Sequence, residues 1–335
     1  MRKELPKILV TGGAGFIGSE FVRQAVNKGY RTIVIDKLTY AGDLKRLKEV
    51  KGRYKFYKED ICNKAKMDSI FKEEKPDIVI NFAASTHVDR SIQDATPFIE
   101  TNVKGTHILL DLSRKYKIKK FIHISSDEVY GEIKKDSFSE NSPLRPNSPY
   151  AASKAAADLL IKSYIRTYNF PAIIVRPCNN YGPWQYPEKL IPLAILKALR
   201  NEEVPVYGKG SNVREWLHVD DCAKGILKIL EKGKTSEIYN LGSNEEKQNI
   251  QVVKMILDIL SSSQNLVQFV KDRPGHDIRY KLNSQKVQQE VGWHPAIKFE
   301  EGIEKTVSWC VQHKDWLLGK WSKIAPLYKK LTTVS

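Results

Sequence analysis

The sequence predicts an α/β protein, a doubly wound parallel sheet joined to a smaller mixed α/β domain. Three observations predict it. In the first half of the chain, short apolar runs alternate with stretches of helical spacing. Those runs are apolar on both faces, as strands covered by helices on each side must be. The last third changes character, to amphipathic helical stretches separated by loops containing Pro and Gly.

Taken in order, "KILVTGG" is a strand entering a glycine turn. "SEFVRQAVNKG" has helical spacing and stops at Gly29, and "RTIVIDK" is the second strand. "YKFYKED" is the third, followed by a helix through "KMDSIFKEEK". "PDIVINFAA" and "KKFIHISS" are further strands, with a helix near "TNVKGTHILLDLSRKY" between them. "FPAIIVRP" is another buried run. "NIQVVKMILDIL", "SQKVQQEVGW" and "FEEGIEKTVSWCVQH" are the helices of the last third.

Composition narrows the function. The 335 residues are 41% hydrophobic, which suits a globular protein of about two domains. No run of 18 apolar residues exists, so no membrane span is expected. The N-terminus reads as a first strand and not as a signal peptide, because Pro6, Lys7 and the glycines interrupt it. Cys62, Cys178, Cys222 and Cys310 have neither metal nor disulfide-framework spacing. Free thiols in a reducing, cytoplasmic compartment are expected, with no metal. The net charge of +16 is spread over lysines mixed with acids, which argues for a solvated basic surface. It would also suit an anionic small molecule. No zinc-finger or RNP-type motif appears, so no nucleic-acid partner is expected.

The glycine loop is the first functional signal. "TGGAGFIG" lies between the first strand and the first helix. Gly12, Gly15 and Gly18 form G-x-x-G-x-x-G, and Gly13, Gly15 and Gly18 form G-x-G-x-x-G. Such glycines permit a tight turn and let the backbone approach a pyrophosphate, which the following helix N-terminus attracts. Asp36 ends the second strand, where a carboxylate accepts hydrogen bonds from a ribose and repels a 2′-phosphate. The sheet is therefore expected to be Rossmann-type, with NAD favoured over NADP and neighbouring Lys37 as the countervailing charge. Asp60 and Ile61, at the end of the third strand, fit an adenine contact.

The second signal is "SPYAASKAAADLL". Tyr150 and Lys154 stand four apart on a helix and share a face. A nearby ammonium is expected to lower the tyrosine pKa and fit it as a general base toward a hydroxyl. The third is "SSDEVYG", which places Asp127 and Glu128 side by side at a strand end after Ser125 and Ser126. Adjacent carboxyls in one site can act as acid and base if their environments split their pKa values.

Glycine loop, serine pair and Tyr–Lys pair together resemble the extended short-chain dehydrogenase/reductase family. The Asp–Glu pair points within it to the nucleotide-sugar 4,6-dehydratases. The likeness runs over nearly the whole chain through "DKLTYAGD", "FAASTHVDRSI", "SSDEVYGE", "SPYAASK", "NNYGPWQYPEKLIPL", "YGKGSNVREWLHVDD" and "DRPGHDIRY". It implies a hydro-lyase using retained NAD on a nucleoside-diphosphate glucose, dTDP-glucose by preference. A UDP-glucose dehydratase, an epimerase or a decarboxylase of the same superfamily is the alternative. Ser85 stands where dTDP-glucose enzymes usually have Glu, and Ser126 where the family usually has Thr.

The resemblance also implies roles. Tyr150 takes the C4 hydroxyl proton, Glu128 removes the C5 proton, Asp127 protonates the departing C6 hydroxyl, and Ser126 and Lys154 complete the catalytic set. Cofactor contacts fall on Gly12, Gly15, Phe16, Ile17, Gly18, Asp36, Lys37, Leu38, Thr39, Asp60, Ile61, Ala83, Ala84, Thr101, Tyr150, Lys154 and Asn180. Thr86 and Ser126 contact the substrate, and Asn179 holds its sugar or phosphate. Lys189, Leu190, Arg214 and Asn249 hold the pyrophosphate. Pro205 to Tyr207 flank the base, with Tyr207 stacking, and Arg273, His276 and Tyr280 close over the nucleotide. The expected boundaries are 1–181 plus about 219–244 for the NAD domain, and about 182–218 plus 245–335 for the substrate domain. A homodimer is implied, through a four-helix bundle of the Tyr150 helix and the one near Asn102 to Arg114.

Overall fold

The structure, a computed structural model, describes residues 5–332. Its strands are β1 (Lys7–Thr11), β2 (Arg31–Ile35), β3 (Tyr54–Tyr57), β4 (Ile78–Asn81), β5 (Lys120–Ile124), β6 (Ala172–Pro177), β7 (Asn179–Tyr181), β8 (Val204–Tyr207), β9 (Val213–His218), β10 (Ile238–Leu241), β11 (Glu246–Gln248) and β12 (Val267–Val270). Seven of them form one sheet in the order β10-β6-β5-β4-β1-β2-β3. Every neighbouring pair in it is parallel. This is the Rossmann-type sheet the alternating pattern predicts.

Strand side chains alternate between two cores, which is why the runs are apolar throughout. Ile8, Val10 and Val34 enter one core with Phe21 and Val22 of the helix Phe16–Asn27. Leu9 and Ile33 enter the other with Phe71 and Leu109. A third core, around Tyr181, Ile195, Trp216, Val253 and Phe299, joins the remaining elements. There β9 pairs with β7 in parallel and with β11 antiparallel, and β12 pairs with β8. That part is therefore mixed α/β.

Chain order reverses at the centre of the sheet. β1 leads outward to β2 and β3 on one side, while β4, β5 and β6 follow on the other. Thr11 and Asn81 face each other across the β1–β4 seam at its carboxyl end. A crevice opens at such a switch point, and ligands of open α/β sheets bind there.

Several elements have no counterpart in the sequence pattern. Strands β7, β8, β11 and β12 have three or four residues, too few to show a period. Helices Leu190–Ala198, Val219–Lys232 and Lys314–Thr332 add to the layers. The helix near Asn102 begins one residue cluster earlier, with a π-helical turn over Ile99–Gly105 before Thr106–Lys115. Two contacts accompany that wider turn. The Asn102 amide bonds Ser85 and Ser153, and Gly105 lies so close to Ile61 that an added Cβ would stand 2.5 Å from its Cδ1.

Candidate active site

A cleft of about 640 Å³ runs along the switch point. One end is the glycine loop. Gly12 has φ +66°, and a Cβ there would stand 2.6 Å from the Ala83 nitrogen. Only glycine fits that turn without strain. Gly15 is the N-cap of the helix Phe16–Asn27 and offers no capping side chain, so the first-turn N–H groups face the cleft free. Asp36 accepts N–H bonds from Ala14 at 3.0 Å and Leu38 at 2.8 Å. Burial raises its pKa, and these two amides pull against that. Lys37 is paired with Asp60 at 3.0 Å, and Asp60 in turn accepts the Cys62 N–H. Lys37 is thus drawn toward a carboxylate, which removes much of the case for a 2′-phosphate. These features, a glycine cradle that a side chain would fill and a carboxylate beyond it, fit NAD.

Of the expected cofactor residues, Gly12, Gly15, Phe16, Ile17, Gly18, Asp36, Lys37, Thr39, Asp60, Ile61, Ala83, Ala84, Thr101, Tyr150, Lys154 and Asn180 line the cleft. Leu38 does not; its contribution is the backbone N–H held by Asp36.

The acids sit at the middle of the cleft. Ser126, two residues beyond β5, caps a 3-10 turn, Asp127–Tyr130, by accepting the Glu128 N–H at 3.2 Å. The turn aims both acids into the cleft. Its far end is anchored by Tyr130, whose hydroxyl donates to Asn240 at 2.8 Å and accepts from Arg176 at 2.7 Å. Asp127 is buried, takes the Ser126 hydroxyl on one oxygen at 3.1 Å, and leaves Oδ2 without a partner. Burial first, then the Glu128 and Glu215 charges, hold its carboxyl well above the ordinary range. Burial also raises Glu128, but Arg273, Arg214 and Lys189 pull it back. The two neighbours therefore have the split environments their chemistry requires.

Tyr150 begins the helix Pro149–Tyr168, which Ser148 caps through the Ala151 N–H. Its phenol lines the cleft with Ser126, whose hydroxyl pulls its pKa down. The sequence expectation for Lys154 needs correction. Its Nζ donates to the Ile124 carbonyl at 2.6 Å and lies 3.5 Å from His123, and its charge is not among those acting on Tyr150. Burial and the Glu128 charge instead raise the Tyr150 pKa. Sharing a helix face brought the pair to one cleft, but the β5 wall captures the ammonium.

Thr86, Asn179 and Lys189 also line the cleft, and Asn179 Oδ1 is buried without a partner. Ser126 lines the cleft as well, and the other expected substrate residues lie outside that lining. Arg273 reaches Asp89 at 3.4 Å, and Tyr207 donates to Asp89 at 3.3 Å. His276 pairs with Asp272 at 2.6 Å and packs edge-on against Tyr207. Arg214 lies over the Tyr280 ring at 4.4 Å and donates to the Asp277 carbonyl. Asn249 Oδ1 is buried and unpartnered. Leu190 packs on the third core, and Pro205 sits beside Tyr207 on β8.

Sequence reasoning missed a clasp across the cleft. Glu188 accepts from Tyr40 at 2.9 Å and from Arg90 at 3.0 Å, and Arg90 stacks over Tyr40 at 3.9 Å. Both charges lay inside quoted segments, "FAASTHVDRSI" and "PWQYPEKL", yet only their pairing across 98 positions reveals them. Arg46, fully buried, bonds the carbonyls of Ala14, Ala41 and Trp184 and so fastens the glycine loop to the other half. Among the described residues no cluster of His, Cys, Asp and Glu could hold a metal ion, and no helix is long and apolar enough to cross a membrane.

Comparison with known proteins agrees with this geometry. The family model described as GDP-mannose 4,6 dehydratase matches residues 9–306. A dTDP-glucose 4,6-dehydratase of Neisseria meningitidis serogroup B is 45% identical, over 92% of this chain and 94% of its own. The crystal structure of DesIV, a dTDP-glucose 4,6-dehydratase from Streptomyces venezuelae with NAD bound, superposes with a TM-score of 0.91 at 44% identity, covering 94% of this chain and 99% of that one. A dTDP-glucose 4,6-dehydratase from Bacillus anthracis in complex with NAD gives 0.88 at 43% identity, over 94% and 99%.

Proposed function

The chain belongs to the GDP-mannose 4,6-dehydratase family, and from that membership we propose roles for Tyr150, Glu128 and Asp127 in the dehydration of a nucleotide sugar. The activity is the NAD-dependent conversion of dTDP-glucose to dTDP-4-keto-6-deoxyglucose, a hydro-lyase reaction. The observation that carries the role assignment is the acid turn. Two carboxyls of different environment share one cleft with a tyrosine and the glycine loop. NAD, when bound, supplies the oxidant for C4, the reductant for C6 and a positive charge in its oxidised ring.

The side chains do the rest. Ser126 holds the C4 oxygen beside Tyr150, which takes the C4 proton as its phenolate, a form that burial and Glu128 oppose and that the positive charge of the oxidised ring would favour. A 4-ketone makes the C5 hydrogen acidic. Glu128, which burial raises and which Arg273, Arg214 and Lys189 pull back toward the charged form, removes it. Asp127, kept protonated by burial and its acidic neighbours, delivers a proton to the leaving C6 hydroxyl. Lys189 donates to the Thr86 carbonyl at 3.2 Å on the cleft edge, where Thr86 meets the substrate and Lys189 its pyrophosphate. Arg214 and Arg273 offer forked donors to the diphosphate. We also retain the boundaries near 181, 219 and 244 as the division between cofactor and substrate halves.

The test is incubation with dTDP-glucose and, separately, UDP-glucose, without added NAD, reading the alkaline absorbance of the keto sugar. Product from dTDP-glucose is the expected result. Product from UDP-glucose alone would reassign the base pocket, where Ser85 replaces the usual Glu. No product from either, even with NAD added, would overturn the roles.

A homodimer is part of the same proposal. Ile99, Leu159 and Tyr168 lie on the two helices of the expected bundle and are 56%, 56% and 48% exposed. Large apolar side chains left this exposed on the two helices support an interface there. Leu159→Glu is expected to halve the mass seen by sedimentation; an unchanged mass would place the contact elsewhere. The four unpaired cysteines fit a reducing, cytoplasmic compartment.

A further inference from the structure

Lys154 is enclosed by a chain of buried polar side chains that the reaction above does not use. Its Nζ donates to the Ile124 carbonyl at 2.6 Å and lies 3.5 Å from His123 Nε2. His123 meets the Asn81 amide through Nδ1 at 3.2 Å. Asn81 accepts the Thr11 hydroxyl at 2.6 Å and reaches the Thr106 hydroxyl at 3.2 Å. Thr11, Asn81, Thr106, His123 and Lys154 are all at most 2% exposed. The chain runs from the end of β1, beneath the glycine loop, through β4 and β5 to the helix of Tyr150.

His123 faces two donors, the Asn81 amide and the Lys154 ammonium. It cannot relieve the conflict by charging, because burial, with Lys154 and Arg176 beside it, holds the ring neutral. A neutral imidazole has one donor nitrogen and one acceptor. If Lys154 is an ammonium, Nε2 accepts, Nδ1 carries the proton, and Asn81 must turn its Oδ1 toward it. If Lys154 is an amine, Nε2–H donates to Nζ and Nδ1 accepts from Asn81. Both states are open because the other neighbours of Asn81 are hydroxyls, and a hydroxyl donates or accepts as required.

We propose that His123 couples the protonation of Lys154 to a reversible reorientation of the Asn81 amide between Thr11 and Thr106, and thereby sets the pH range in which Lys154 presents a cation to the cleft. His123 is thus a positioning residue. The proposal rests on Lys154 serving the reaction. Other charges near Lys154 are few. Asp158, one turn along its helix, favours the ammonium and is itself paired with Arg176 of β6. Tyr150, one turn back, is acted on by Glu128 and Asp127. Burial, opposed by Asp158, brings the Lys154 pKa down to about 8, inside the working range of such a switch.

The sign follows from bond strength. An ammonium donating to imidazole makes a charge-assisted bond, stronger than the neutral one it exchanges with. Removing the imidazole therefore favours the amine. His123→Phe is expected to move the alkaline limb of kcat/KM down by about one pH unit, and His123→Gln, which restores an acceptor, to move it back. A uniform loss across pH, unrelieved by Gln, would mean the ring only fills space. The second readout needs no activity. In the NAD-loaded protein with 15N-labelled histidine, the His123 ring is expected to exchange tautomers near the same pH without gaining charge. A single tautomer from pH 6 to 10 would overturn the proposal, including where His123→Phe fails to fold. Full activity of Lys154→Met would instead remove the reading beneath it.

Discussion

Glu128→Gln is expected to stop turnover after C4 oxidation, lowering kcat by about 10²–10⁴-fold while reduced nicotinamide accumulates in a single turnover. The substitution keeps the shape of the side chain and its place in the turn Asp127–Tyr130. It removes only the base, and with it the partner of Arg273, Arg214 and Lys189. Asp127→Asn is expected to give a loss of similar size by a different route, because the proton for the leaving hydroxyl is gone. Exchange of the C5 hydrogen with deuterated solvent separates the two. It should vanish with Glu128→Gln and persist with Asp127→Asn. The opposite pattern would exchange their roles. The pH dependence has a definite sign as well. The Asp127 carboxyl is raised by burial, so it is the acid form that works and the elimination step itself, read in a single turnover, slows as pH rises through that raised value, whereas the alkaline limb of kcat/KM reports Lys154.

How much of this was legible depended on how local each signal was. The glycine loop, Asp36, the acid turn and the Tyr150 helix are each written in a few consecutive residues, because each is a turn or a helix start with its own steric demands. The sheet was legible because two-sided burial leaves uninterrupted apolar runs. Arg46 was not legible. In "LKRLKEV" it looks like one more solvated cation, yet it is fully buried and bonds Trp184, 138 positions away. His123 likewise reads as a polar break in "KKFIHISS", and only strand pairing brings it against Asn81. The Tyr150–Lys154 expectation failed for the same reason. Spacing on a helix fixes which side chains share a face, but the carbonyl that captures Lys154 belongs to another element.

The largest stability effect is expected at Arg176. Its guanidinium pairs with Asp158 at 2.9 Å and donates to the Tyr130 hydroxyl at 2.7 Å, with Arg176 and Asp158 at 1% and 0% exposure. One end of this link is on the Tyr150–Lys154 helix and the other on the acid turn. Arg176→Met would leave a carboxylate buried without its partner, costing about 3–5 kcal/mol, a large part of a typical total of ~5–15 kcal/mol. Burial already pushes the Asp158 carboxyl up against the pull of Arg176, so the orphaned group is expected to take a proton in the variant. Adding Asp158→Leu removes the orphan. Well-packed apolar replacement of both partners is often neutral, so the double variant should regain most of its denaturant midpoint. Its activity then decides what the pair is for. If the bridge only stabilises, the double variant works at the wild-type rate at pH values low enough to keep Lys154 protonated without Asp158. If it sets the distance between Tyr150 and the acids, kcat stays low in a stable protein while KM is little changed. We expect the second outcome, because Tyr130 would keep Asn240 but lose the only charged anchor described for the turn.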